Sequence, residues 1–310
     1  MFKKTLIAAA VATMASSVAM ADVKIGGKVE QQQQKSEAGE WSGWSDVRLT
    51  VSGDEDLGNG MSAFFKFQDE MGLRTGAGTQ QYDQLVGLKS SAGTLIMGKV
   101  EDFTESKVMS MTDKTMGAGG VEIGSNLGRQ EGGIAYVSPA FNGLTVGVAG
   151  YALSAGGGSE DAFDAVDLGL MYSNGPLSVN VSFENDKRAA TAATAATAAF
   201  DSGDSTSIGA SYAAGDLTVA ATQQMTSYDT AGKADEDDTS IAVTYNMGNN
   251  KVVVGWNDNE TSAGATVTDT NSNVIELQHS FSKTTAAYVQ FYNTDVAAGD
   301  TTSFGLQHSF

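Results

Sequence analysis

Two basic residues, Arg48 and Lys66, stand on the polar side of segments whose other side is continuously apolar. Val47, Leu49 and Val51 point one way, and Arg48, Thr50 and Ser52 the other. Beyond residue 60, Met61, Ala63, Phe65 and Phe67 oppose Ser62, Phe64, Lys66 and Gln68. A period of two means extended strand. Repeated round a closed sheet, it gives an oily exterior and a water-filled interior lined with fixed charge, whose chemistry is to filter and orient solutes. Bond-making chemistry has little to draw on. The chain has no cysteine, hence no disulfide framework or thiolate metal site. Its two histidines, His279 and His308, both lie in a repeated LQHSF, and nothing in the sequence supplies either with a nucleophile and an orienting partner. They read as polar groups at equivalent strand ends. No catalytic residue is assigned.

A hairpin must position Arg48 and Lys66. GDEDLGNG (53–60) closes it, because Gly and Asn tolerate positive φ. From Asp22 onward the pattern repeats as strand, tight turn, strand, longer polar loop. Further tight turns are expected at 90–93, 138–143, 174–176, 214–216, 247–250 and around 282–284, which makes sixteen strands. The first is expected over Val23 to Glu30 and the last from Thr301 to Phe310. Both termini then lie on the tight-turn side, so first and last strands can pair and leave no open edge. Pro139 and Pro176 fall in turns, away from the ladder. Val166, Leu168, Leu170, Tyr172, Leu177, Val179, Val181 and Phe183 are expected outward. Tyr136, Tyr151, Tyr172, Tyr212, Tyr245 and Trp256 fit aromatic girdles at strand ends. The fold class is all-β: a transmembrane antiparallel β-barrel.

The first residues, Met1-Phe2-Lys3-Lys4, an apolar run from Thr5 to Met20 and the small-x-small Ala19-Met20-Ala21 read as a secretory signal over 1–21, ahead of a barrel over 22–310. Its removal takes away Lys3 and Lys4, so the formal charge of −19 becomes −21. Such a charge argues against nucleic acid as a partner. Acid is expected mainly in outer loops: Glu160, Asp161 and Asp164; Asp235, Glu236, Asp237 and Asp238; Asp258 and Glu260; and Asp300. The run at 235–238 lacks EF-hand spacing, so no metal site is assigned. It reads as a solvated charge run, with loosely held Ca²⁺ or Mg²⁺ as the alternative. The tract AATAATAATAA (189–199) reads as surface variation.

The segment RLTVSGDEDLGNGMSAFFKFQ resembles the signature hairpin of the Gram-negative general porins, S-R-L-G-F-K-G-x-E-D-L-G-N-G-L-x-A. Other stretches are similar to the same family: YDQLVGLKSSAGTLIMGK, with Lys99 where the family has Arg; GGIAYVSPAFNGL, with Ala135 in place of an arginine that points into the pore; and SFSKTTAAYVQFY. The resemblance covers essentially the whole mature chain. It implies a sixteen-stranded barrel of the outer membrane whose third loop, here roughly 101–131, folds into the lumen and constricts it. It further implies a pore-lining basic wall of Lys28, Arg48, Lys66 and Lys99 facing loop acids among Glu101, Asp102, Glu105, Asp113 and Glu122. A homotrimer, contacts with outer-membrane lipid and lipopolysaccharide, and a C-terminal Phe310 read by the outer-membrane assembly machinery follow from the same likeness.

The functional expectation is a passive diffusion channel for ions and small hydrophilic solutes, with no cofactor. Opposed charge rows across a narrow aqueous passage create a transverse field that orients dipoles and filters ions. Loss of the arginine at Ala135 leaves fewer fixed cations, so a preference for cations is expected. A second reading is a solute-selective channel with a saturable lumenal site. A third, an outer-membrane enzyme of lipase or protease type, needs an activated nucleophile that the sequence does not show.

Overall fold

The computed structural model describes residues 22–72, 79–152, 162–187, 202–229, 233–263 and 266–310. The signal at 1–21, the tract at 189–199, and Glu160 and Asp161 lie outside them.

Sixteen strands form one closed antiparallel barrel. In chain order they are β1 (Asp22–Ser36), β2 (Trp41–Gly58), β3 (Met61–Gly72), β4 (Thr79–Ser90), β5 (Gly93–Glu101), β6 (Arg129–Val137), β7 (Leu144–Tyr151), β8 (Ala165–Asn174), β9 (Leu177–Asp186), β10 (Gly203–Ala214), β11 (Leu217–Tyr228), β12 (Asp235–Met247), β13 (Asn250–Ala263), β14 (Thr266–Ser280), β15 (Thr285–Thr294) and β16 (Thr301–Ser309). Each pairs with its chain neighbours, and β1 closes the cylinder on β16, with Gln31 opposite Leu306. At the seam, Gly27 and Phe310 exchange two backbone hydrogen bonds of 3.0 Å each. Closure leaves no unpaired edge for lipid to meet. The outward face is the alternating apolar set: Val23, Ile25, Val86, Leu88, Val166, Leu168, Leu177 and Phe183 are all exposed. The β2–β3 turn is the two residues Asn59 and Gly60, both at positive φ (53° and 75°), as the twist of a tight hairpin requires.

Three features depart from the alternating pattern. The first is strand length: β1 runs six residues past Glu30, through the Gln31–Gln34 run to Ser36. Likewise Asp235, Glu236, Asp237 and Asp238 belong to β12, and Asp258 and Glu260 to β13, rather than to outer loops. These ends are polar on both faces, so no apolar period marks them, yet ladder pairing continues. The second is a register shift between β3 and β4, where Phe67 pairs Gln84 and Asp69 pairs Gln81. One residue of β3 thus faces two of β4, Tyr82 and Asp83, and both turn into the lumen, as a bulge allows. The third is Tyr151. Expected in an aromatic girdle, it is wholly buried inside the barrel with Val100, Phe103, Leu127, Ala135, Ala149 and Ala165.

That cluster exists because residues 102–128, the connection between β5 and β6, fold inward (loop 3). Two short helical turns, Thr104–Val108 and Met109–Met111, begin it. Its apolar side chains seat on glycines of the inner wall. A methyl group added at Gly147 or Gly169 would strike the Phe103 ring, one at Gly209 would strike Met111, and one at Gly255 would strike Val121. The barrel therefore has an interior core on one side only, under loop 3, and open lumen on the other. Gly255→Leu should overpack this contact and lower the urea-unfolding free energy of the micelle-refolded barrel by about 1–3 kcal/mol. An unchanged unfolding curve would mean that Val121 is not seated there.

Candidate functional site

Loop 3 carries its own backbone polar groups into the barrel, and side chains of the wall satisfy them. Near its root, Asp167 of β8 accepts from the Phe103 N–H at 2.6 Å, and Asn180 of β9 donates to the Lys107 carbonyl at 2.7 Å. Thr222 of β11 bonds Thr112 at 3.0 Å. Farther on, Ser240 of β12 donates to the Val121 carbonyl, and Asp238 accepts from Gly124 N–H at 3.1 Å. At the tip, Glu276 of β14 accepts from the N–H groups of Met116 and Gly117 at 2.8 and 2.9 Å, and also from Gln278 and Gln290. Gln290 of β15 binds Gly119 through both its amide atoms, and Gln32 of β1 accepts from Ala118 N–H at 3.0 Å. The loop therefore crosses the lumen from β8 to β1, leaving open water against β1–β4.

Asp102 is a clamp at the loop root. Fully buried, its carboxylate accepts from Glu105 N–H at 2.6 Å, from the Ser125 hydroxyl at 2.5 Å and from Gly128 N–H. Burial pushes its carboxyl up to about 7, against the pull of these donors. It does not face the passage. Glu101 and Glu105 are bound by Arg129, the first residue of β6, whose third contact is Asp83 at 3.3 Å.

Of the four basic residues expected on the wall, Lys28, Arg48 and Lys66 turn into the lumen, and each is paired with an acid. Lys28 pairs with Glu30 at 3.1 Å and Asp46 at 3.6 Å, Arg48 with Glu70, and Lys66 with Asp83 at 2.5 Å. The guanidinium carbons of Arg48 and Arg129 lie 4.1 and 4.5 Å from the centre of the Tyr82 ring. Lys99 stands apart. It pairs with Gln84 in the register and shares its strand face with Leu95 and Met97, which are exposed outward, while its neighbour Val100 is buried inside. Ala135 is buried beneath loop 3, so the side chain missing there is not missing from the open passage.

Opposite this ladder, Asp113 and Glu122 of loop 3 face the remaining water. With Lys28, Arg48, Glu70 and Tyr82 they line a cavity of about 530 Å³. No ion pair holds either carboxylate among the described residues, and Glu122 Oε2 is buried without a hydrogen-bond partner. Desolvation raises both carboxyls above their ordinary range, with Lys114 and Lys28 opposing the shift at Asp113. Four cations (Lys28, Arg48, Lys66, Arg129) thus meet six strand and loop-root carboxylates in contact with them, before Asp113 and Glu122 are added.

A family model for Gram-negative porins matches residues 8–299. The chain belongs to the Gram-negative porins. An outer membrane porin protein of Bordetella pertussis is 29% identical over 161 residues, which is 44% of this chain and 41% of that relative, so under half of the relative is matched. In structure this porin is similar to Salmonella typhi OmpF, with a TM-score of 0.78 at 14% identity over 93% of this chain and 97% of that one. It is also similar to an anion-selective porin from Comamonas acidovorans, with a TM-score of 0.73 at 21% identity over 94% and 100% of the two chains. A trimer form of Vibrio cholerae OmpT gives 0.72 at 15% identity over 94% and 99%. At such identities the structural likeness speaks for the fold. Membership places this porin in the outer membrane and among channels rather than enzymes.

Arg129, Tyr82 and the paired acids Glu30, Asp46, Glu70 and Asp83 are the residues that the sequence reading did not single out. Of the tethers, Glu276 carries the most donors. Glu276→Ala should cost about 3–6 kcal/mol of unfolding free energy, since it removes the partner of two loop N–H groups and each hydrogen bond to a charged group contributes about 1.5–3 kcal/mol. It should also give larger and noisier single-channel currents in planar bilayers. Currents identical to those of the unaltered porin would show that the tip is held by other groups.

Proposed function

We propose that this porin is a passive diffusion channel for ions and small hydrophilic solutes, with a preference for cations. The observation that carries the preference is the imbalance in the constriction. Every basic side chain on the open wall is within ion-pair distance of a carboxylate, whereas Asp113 and Glu122 make no ion pair among the described residues, and Lys114 beside Asp113 offsets only part of their charge. Fixed negative charge in a narrow, partly desolvated passage raises the local concentration of cations and lowers that of anions. Ala135 lies under loop 3 and has no part in this imbalance. Sign of selectivity does not follow from the fold, since one of the similar structures is an anion-selective porin. Side chains decide it.

The assembly proposed is a homotrimer in a lipid and lipopolysaccharide bilayer, in keeping with the trimer form named for OmpT. Phe310, already the closing residue of the β1–β16 seam, is the proposed mark for the assembly machinery.

Reversal potentials of the refolded porin in a KCl gradient should show potassium preferred over chloride. Asp113→Asn combined with Glu122→Gln should reduce that preference several-fold. Because both carboxyls are raised, they take up protons at a higher pH than free carboxylates, whose pKa is about 4. As pH is lowered, the preference should therefore begin to fall before free carboxylates titrate, and the double variant should lack that early fall. A chloride preference at pH 7, or a pH response identical in the double variant, contradicts the proposal.

A further inference from the structure

Trp44 is an unusual residue to find on a water-lined wall. It lies on β2 opposite Gln32, and Gln32 turns inward to bind loop 3, so the indole shares the lumenal face with Asp46 and Arg48. It lines the same 530 Å³ cavity as Asp113 and Glu122. Among the described residues no aromatic or cationic group stacks on it, in contrast to Tyr82, which two arginines already occupy. Next to it Asp46 is 7% exposed; its Oδ2 faces Lys28 at 3.6 Å, while its Oδ1 has no hydrogen-bond partner among the described residues. A half-buried indole left facing water keeps apolar surface wet. A carboxylate oxygen buried without a donor is costly in its own right.

We infer that the cavity beside Trp44 is a binding site for organic cations that carry an aromatic or alkyl body, above all protonated amines. The parts match that chemistry one by one. The indole face attracts an ammonium group and covers the apolar body. The Asp46 Oδ1, Asp113 and Glu122 carboxylates accept from the ammonium hydrogens. The volume falls inside the range of about 300–1,000 Å³ common for small-molecule sites. A plain inorganic cation uses the carboxylates alone; an anion meets an acid excess and an already paired basic ladder. The inference rests on the cation-preferring reading above and adds to it a residue and a solute class. An organic cation would dwell where potassium only passes, so the site acts as a saturable station in an otherwise unsaturated channel.

Single-channel recording in KCl with two probes of equal charge tests this: benzylammonium, which has a ring, and ethanolammonium, which has none. In the unaltered porin, benzylammonium should block half the current at a concentration about tenfold below that of ethanolammonium, the factor expected of one cation–π and apolar contact. Trp44→Leu should abolish that difference, Trp44→Phe should retain most of it, and Asp113→Asn with Glu122→Gln should weaken both probes. Equal half-blocking concentrations in the unaltered porin overturn the inference without any variant having to fold, as does a ring preference that survives Trp44→Leu. The same recordings give the KCl reversal potential. A chloride preference there overturns the selectivity reading and this inference with it, whereas potassium preference with equal block overturns this inference alone.

Discussion

A chain segment inside a membrane barrel must find a partner for each of its backbone amides and carbonyls. A buried group left unpaired costs about 1–3 kcal/mol, and loop 3 brings many at once. The barrel answers with side chains: carboxylates of Asp167, Asp238 and Glu276, amides of Gln32, Asn180 and Gln290, and the Ser240 hydroxyl. Charged acceptors are the stronger choice for amide donors, and Glu276 takes two consecutive N–H groups on its two oxygens. The glycines at 117 and 119 allow this close approach, for a Cβ at either would strike Gln290. Polar satisfaction fixes the path of the loop, and the apolar contacts of Phe103, Met111 and Val121 on wall glycines press it down. The position of the aqueous passage follows from where the loop is not.

Charge in that passage is organised by the same economy. On the open wall each basic side chain is held by a neighbouring acid, on its own strand or the next: Glu30 beside Lys28, Glu70 across from Arg48, and Asp83, turned in by the β3–β4 bulge, with Lys66. Arg129 then ties wall to loop root by gripping Asp83, Glu101 and Glu105 together. These pairs fix geometry while cancelling much of the wall's positive field. Among the described residues Asp113 and Glu122 have no such partner, though Lys114 lies close enough to Asp113 to act on it. A porin of similar fold is anion-selective, so the barrel alone does not set the sign.

Much of this was legible from the residues. The period of two gave the sheet, Asn59-Gly60 gave its tightest turn, and the even strand count gave closure. The neutralised wall was within reach only in part. A spacing of two or four on one strand face puts Glu30 with Lys28, but the same rule would put Asp46 with Arg48 and Glu70 with Lys66. Neighbouring strands decide those pairs instead: Asp46 with Lys28, Glu70 with Arg48 and Asp83 with Lys66. Three things were not legible. The polar extensions of β1, β12 and β13 carry no apolar alternation, so nothing in their composition marks them as strand. The bulge that turns both Tyr82 and Asp83 inward is a ladder irregularity, decided by pairing with β3 rather than by local sequence. Tyr151 and Ala135 lie under loop 3, and their burial depends on where a distant segment lands. The same holds for Asp102, whose donors are Ser125 and Gly128, more than twenty residues on.

The central claim is that loop 3 lies across the lumen with its tip pinned against β1. The absence of native cysteine makes it directly testable by one engineered pair, Gln32→Cys with Ala118→Cys, whose parent residues share a 3.0 Å hydrogen bond. A short bifunctional thiol cross-linker should join the two cysteines of the refolded double variant in high yield while leaving the channel conducting. Failure to cross-link, in a barrel that still conducts and whose two thiols each react singly, would place the tip elsewhere and contradict the account.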